Sequence, residues 1–141
     1  MFQISLIILG CSVLVALIFH FYAVSKIKTA LKETGGMIMS INDLEIVKDV
    51  INLNMKLAVY YIVFFVLLIA VLGVLALNKL FKEATLILFL FGVTTLIIGL
   101  WGKTYENKIR NMEVKTDDPE VKKTFERYLK EWGEPRLQLK P

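Results

Sequence analysis

Residues 57–101 read LAVYYIVFFVLLIAVLGVLALNKLFKEATLILFLFGVTTLIIGLW. Two runs free of Asp, Glu, Lys and Arg, Leu57–Leu77 and Ala84–Trp101, flank the connection NKLFKE at 78–83. A helix needs about 17–25 apolar residues to cross a hydrocarbon core of roughly 30 Å, and each run has that length. So short a connection forces the two helices to be antiparallel neighbours. A third run, Ile4–Val24, lies nearer the amino terminus. Hydrophobic residues make up 56% of the chain, against about 45–50% in soluble domains. The expectation is an all-α integral membrane protein with three transmembrane helices.

The first run reads as a retained helix rather than a signal peptide or lipoprotein leader. No Lys or Arg precedes it, and it continues past Cys11 to end in Phe21-Tyr22 rather than at a small-residue cleavage site. The single cysteine excludes an internal disulfide and gives no redox compartment.

Basic residues are absent before the first span. They gather at Lys26, Lys28, Lys32, Lys48 and Lys56, thin to Lys79 and Lys82, and return in number after Trp101. The excess of Lys and Arg marks cytoplasmic segments. The amino terminus and the 78–83 turn are therefore expected outside, with 26–56 and the carboxyl-terminal tail inside, in the cell inner membrane. The net charge is +4, but acids interleave with the bases of the tail. That is a mixed-charge surface rather than a stripe for nucleic acid, and its expected partner is the lipid bilayer.

The apolar spans do not end where their helices do. The first continues through KIKTALKE to Gly35-Gly36, where a left-handed cap can close it, giving a unit 1–34 followed by a loop at 35–41. The next helix starts near Ser40 or Asn42, either of which can accept a first-turn amide bond. It carries an apolar stripe at 44, 47, 50, 51 and 55 and meets no Gly or Pro before the second span. Tyr105, Ile109 and Met112 extend the third span in the same way. Residues 42–114 are thus a long helical hairpin, containing transmembrane segments 57–77 and 84–102, with cytoplasmic extensions packed on each other.

The tail, 115–141, breaks at KTDDP and then forms a short amphipathic helix, 119–132. Asp118 caps it, Pro119 occupies its first turn, and Gly133 and Pro135 stop it. Val121, Phe125, Tyr128, Leu129 and Trp132 line one side of this helix, an apolar face to be covered by the hairpin, a partner or the membrane surface.

Two further faces concern packing. On the first span Ser12, Ala16, His20 and Ala23 follow one another at helical steps. On the third, Thr85, Gly92 and Gly99 recur every seven residues, with Thr95 and Gly102 on the same side. Small residues at such spacing let helix backbones approach, and threonine hydroxyls can bond across the contact. This reads as a helix-packing seam rather than a binding motif. Tyr60, Tyr61, Phe64, Phe65, Trp101 and Tyr105 form the aromatic belt expected at a membrane interface.

No catalytic constellation is present, so an enzyme is not expected. One histidine cannot supply a hydrolytic metal site. Cys11 and His20 are separated by about 13.5 Å along a helix axis, too far for a nucleophile and its base. His20 is the one residue with cofactor chemistry: an imidazole in a membrane helix can ligate haem or hydrogen-bond a quinone. The preferred expectation is a non-catalytic structural or accessory subunit of a multi-subunit membrane complex, respiratory or transport, with no cofactor of its own. It would pack on other membrane subunits or on itself. The alternatives are a homo-oligomeric channel or transporter component lined by the third helix, and a redox subunit holding haem or quinone at His20.

Overall fold

A computed structural model describes residues 2–78, 80–134 and 137–139. Lys79 and Pro135, read above as a turn charge and a helix stop, lie outside these residues. Among the described residues four helices run in the order α1 (Phe2–Glu33), α2 (Ile41–Leu77), α3 (Phe81–Arg110) and α4 (Pro119–Trp132). Two-residue strands β1 (Met37–Ile38) and β2 (Glu113–Val114) complete the fold. The first three helices are long and apolar enough to cross a membrane.

Local chemistry sets the limits of these helices. Gly35 and Gly36 end α1 in the left-handed region, at φ 62° and 75°, which is costly for any residue with a Cβ. Ser40 caps α2 in a reciprocal box: its hydroxyl accepts from the Asp43 amide, and the Asp43 carboxylate accepts from the Ser40 amide at 3.0 Å. At α4, Asp118 accepts from the Glu120 amide at 2.9 Å and Pro119 occupies the first turn. From its cap, α2 runs 37 residues without a break, roughly 55 Å.

The chain has two cores, one at each end of the bundle. In the apolar end Phe91, 1% exposed, packs among Ala16, Leu68, Leu72, Ala84 and Ile87. Tyr61, Phe64 and Phe65 surround its ring at centroid distances of 6.2–6.5 Å. At the other end Ile27 and Ala30 of α1, the stripe Leu44, Val47, Val50, Ile51 and Met55 of α2, and Ile109 and Met112 enclose Ile38. This second core is a lobe that the chain builds for itself.

Two features of the lobe differ from the sequence reading or complete it. The 35–41 segment, expected as a loop, contains β1, which pairs in parallel with β2 through Met37 with Glu113 and Ile38 with Val114. Helices α1 and α3 run in the same direction and pack closely along their length, so the strands leaving them start side by side. The second concerns a choice left open at α4. Its face of Val121, Phe125, Tyr128, Leu129 and Trp132, expected to be covered by the hairpin, a partner or the membrane surface, joins the lobe core. Burying it within the chain removes this apolar area from water with no second molecule.

Polar contacts hold α4 in place. Arg110 pairs with Glu106 at 2.7 Å, donates to the Leu129 carbonyl at 3.3 Å and lies 4.7 Å from the Trp132 ring centre. Beyond α4, the buried Leu139 donates its amide to Asn52 Oδ1 at 2.6 Å.

Ile51 is fully buried at the centre of the lobe, whereas Ile41 is 62% exposed. Ile51→Ala is expected to cost about 2–5 kcal/mol, and Ile41→Ala less than about 0.5 kcal/mol. Chemical unfolding followed by Trp132 fluorescence, in a Trp101→Phe background, measures both.

Candidate functional site

Between the two cores, small side chains at facing positions leave space among the helices. Ala16 and Ala23 on α1, Ala58 on α2 and Gly99 on α3 all line a cavity of about 410 Å³. Its polar groups come from three helices: His20 from α1, Asn54 and Tyr61 from α2, and Thr95 from α3. Phe19, Leu57, Leu96 and Ile98 supply the apolar wall, and no charged side chain takes part. An adjoining cavity shares His20, Ala23, Asn54 and Gly99, and reaches Lys103 and Glu106 on the side of the lobe. The space therefore grades from apolar, through neutral polar, to charged.

The His20 ring is tilted against Trp101 and edge-on to Phe21. Its ring centre lies 5.2 Å from that of Trp101, and Phe21 packs on the same tryptophan at 5.6 Å. The imidazole also lies against the bare backbone of Gly102, where an added Cβ would collide with Cε1. His20 Nε2 is buried without a hydrogen-bond partner. The other polar groups are better provided for. Asn54 donates from Nδ2 to the Val50 carbonyl at 2.9 Å, and Thr95 donates to the Gly92 carbonyl at 3.1 Å while its hydroxyl lies beside the Tyr61 phenol.

The two small-residue faces behave differently. On α1, Ser12 and Ala16 are buried, His20 and Ala23 half-buried, and Ser12 donates to the Ile8 carbonyl at 2.7 Å. On α3, the stripe of Thr85, Gly92, Thr95, Gly99 and Gly102 does not lie on one contact. Thr85 and Gly92 are exposed, Thr95 and Gly99 border the cavity, and Gly102 alone receives a side chain of the same chain. In its apolar end α3 packs through Ala84, Ile87 and Phe91, one position round from Thr85 and Gly92. A seven-residue repeat drifts by about 20° per heptad on a straight helix, which carries the stripe from the outer surface towards the cavity.

Asn54 and Ala58 are among the cavity residues that sequence reading passed over, with the wall residues Leu57, Leu96 and Ile98. Asn54, Ala58 and Tyr61 sit at steps of four and three on one face of α2, an Asn beside a small residue at the entrance to an apolar run. That pattern was the available signal. Thr94 also donates to its own helix, at the Leu90 carbonyl, 2.8 Å away. Among the described residues no three His, Cys, Asp or Glu side chains gather to hold a metal ion.

The glycines of the α3 stripe make opposite predictions. Gly102→Ala pushes a methyl into the His20 ring and is expected to cost about 1–3 kcal/mol. Gly92→Ala enters open space and should stabilise by up to about 1 kcal/mol through helix propensity. Thermal unfolding in detergent reads both, and adding His20→Ala should remove most of the penalty at Gly102. No protein-family model, curated protein or solved structure matches the chain.

Proposed function

We propose that this chain is an integral membrane protein, an accessory and non-catalytic subunit that packs against further membrane helices. Its amino terminus and its α2–α3 turn lie outside, and the lobe lies in the cytoplasm. Orientation rests on charge: the lobe end carries most of the Lys and Arg, and the opposite end few. A membrane-impermeant maleimide tests this in a Cys11→Ala background. Asn78→Cys should label in intact cells, and Lys130→Cys only after permeabilisation; the reverse pattern would overturn the orientation.

One observation carries the subunit reading. The glycines Gly10, Gly73 and Gly92 lie in the apolar lengths of three different helices, and among the described residues nothing beyond their chain neighbours and own helix backbone lies within 4 Å of a Cβ built at any of them. A glycine inside a helix costs about 0.5–1 kcal/mol relative to alanine. Close approach of another helix backbone recovers that cost, and the chain's own helices make no such approach there. Because the lobe covers its own apolar faces, the surface left for association is the one within the bilayer.

The test is purification from the native membrane in mild detergent, with the protein mass determined by light scattering. The wild-type chain should run in a defined assembly well above its own 16.1 kDa. Gly92→Leu, which meets no atom of its own chain, should release a folded monomer. A monodisperse wild-type monomer would sink the proposal.

A further inference from the structure

We infer that the cavity between α1, α2 and α3 is a binding site for a neutral, lipid-soluble ring compound bearing carbonyl oxygens, the chemistry of a quinone on a hydrocarbon tail. The inference shares the membrane placement proposed above but not the existence of a partner chain. It starts from the size of the space. About 410 Å³ falls within the roughly 300–1,000 Å³ of small-molecule sites, whereas packed interiors hold few voids larger than a water molecule.

The lining decides what can fill it. Lipid chains alone would offer no hydrogen bond to the polar side chains that line it, His20, Asn54, Tyr61 and Thr95, and leaving such groups unmet is costly. An occupant that hydrogen-bonds is therefore favoured over an acyl chain. No charged residue lines the cavity, so the occupant is neutral. Donors stand on two walls, the His20 imidazole on α1 and the Tyr61 phenol on α2, which suits a ligand that accepts through oxygens on opposite edges. A tail has an exit: Leu96 lines the cavity and is 65% exposed, so the space opens sideways onto the apolar surface. At the other end Lys103 and Glu106 mark where water begins.

Trp101 beside His20 supplies the readout, because quinones quench tryptophan fluorescence. With Trp132→Phe leaving Trp101 alone, a benzoquinone bearing a decyl tail is titrated into the full-length protein in detergent. Quenching should saturate, and decylbenzene, which has the tail without the oxygens, should not compete. Ala58→Leu fills the cavity from an exposed position, and His20→Gln moves the donor; each should weaken binding by about tenfold, the worth of one hydrogen bond. Ile41→Ala, at the exposed start of α2 and away from the cavity, should leave the affinity unchanged, and unaltered helical circular dichroism identifies folded variants. Quenching that never saturates, that survives both cavity substitutions, or that dioleoylphosphatidylcholine fully reverses would overturn the assignment. Because affinity is measured on the isolated chain, failure here is distinct from failure of the subunit proposal.

Discussion

Helices α2 and α3 each run without a break from a length of apolar side chains into a length of mixed polar ones, and the rest of the molecule depends on that continuity. In hydrocarbon, each backbone amide and carbonyl needs a partner within the chain, which a helix supplies. Beyond the apolar length the same helices keep their hydrogen bonds but change their side chains. Exposed Leu, Ile and Val give way to a stripe with Val47 and Ile51 facing inward. One backbone geometry thus suits both lengths. Spacings set by packing at one end are inherited at the other, which is why α1 and α3 deliver β1 and β2 into register.

The ends of the elements were legible because each rests on neighbouring residues. Glycines at 35 and 36, the box of Ser40 and Asp43, and Asp118 before Pro119 all act within four residues of one another. The strand pair was not legible. Met37 and Glu113 are distant in sequence, each strand has two residues, and no alternation can show over such a length. The cover of α4 was half legible: its apolar face was plain, but what lay on it depended on how α2 and α3 emerge together. The same limit governed the site. His20 stood out by its chemistry, whereas the cavity beside it arises from Ala16, Ala23, Ala58 and Gly99, small residues on three helices that meet only in space.

The two kinds of small residue on α3 separate the uses of one helix. Gly102 accepts His20 and so belongs to the fold. Gly99 accepts nothing and leaves a wall of the cavity bare. Gly92 faces away from the chain. A lone stripe read along the sequence merges these roles, since a seven-residue repeat and a helix of 3.6 residues per turn part company gradually.

Arg110 gives the fold a property that its packing alone does not. It joins α3 to the end of α4 by an ion pair, a carbonyl bond and a stacked ring, while Leu139 is tied to α2 through Asn52. The lobe is thereby bolted to both members of the hairpin rather than hung from one. From Asn54 to the start of α2 is roughly 20 Å at 1.5 Å per residue, so a tilt of about 10° at the cavity swings the far end by about 3–4 Å. Bolted in this way, α4 and Leu139 are carried with α2 and α3 through any such tilt.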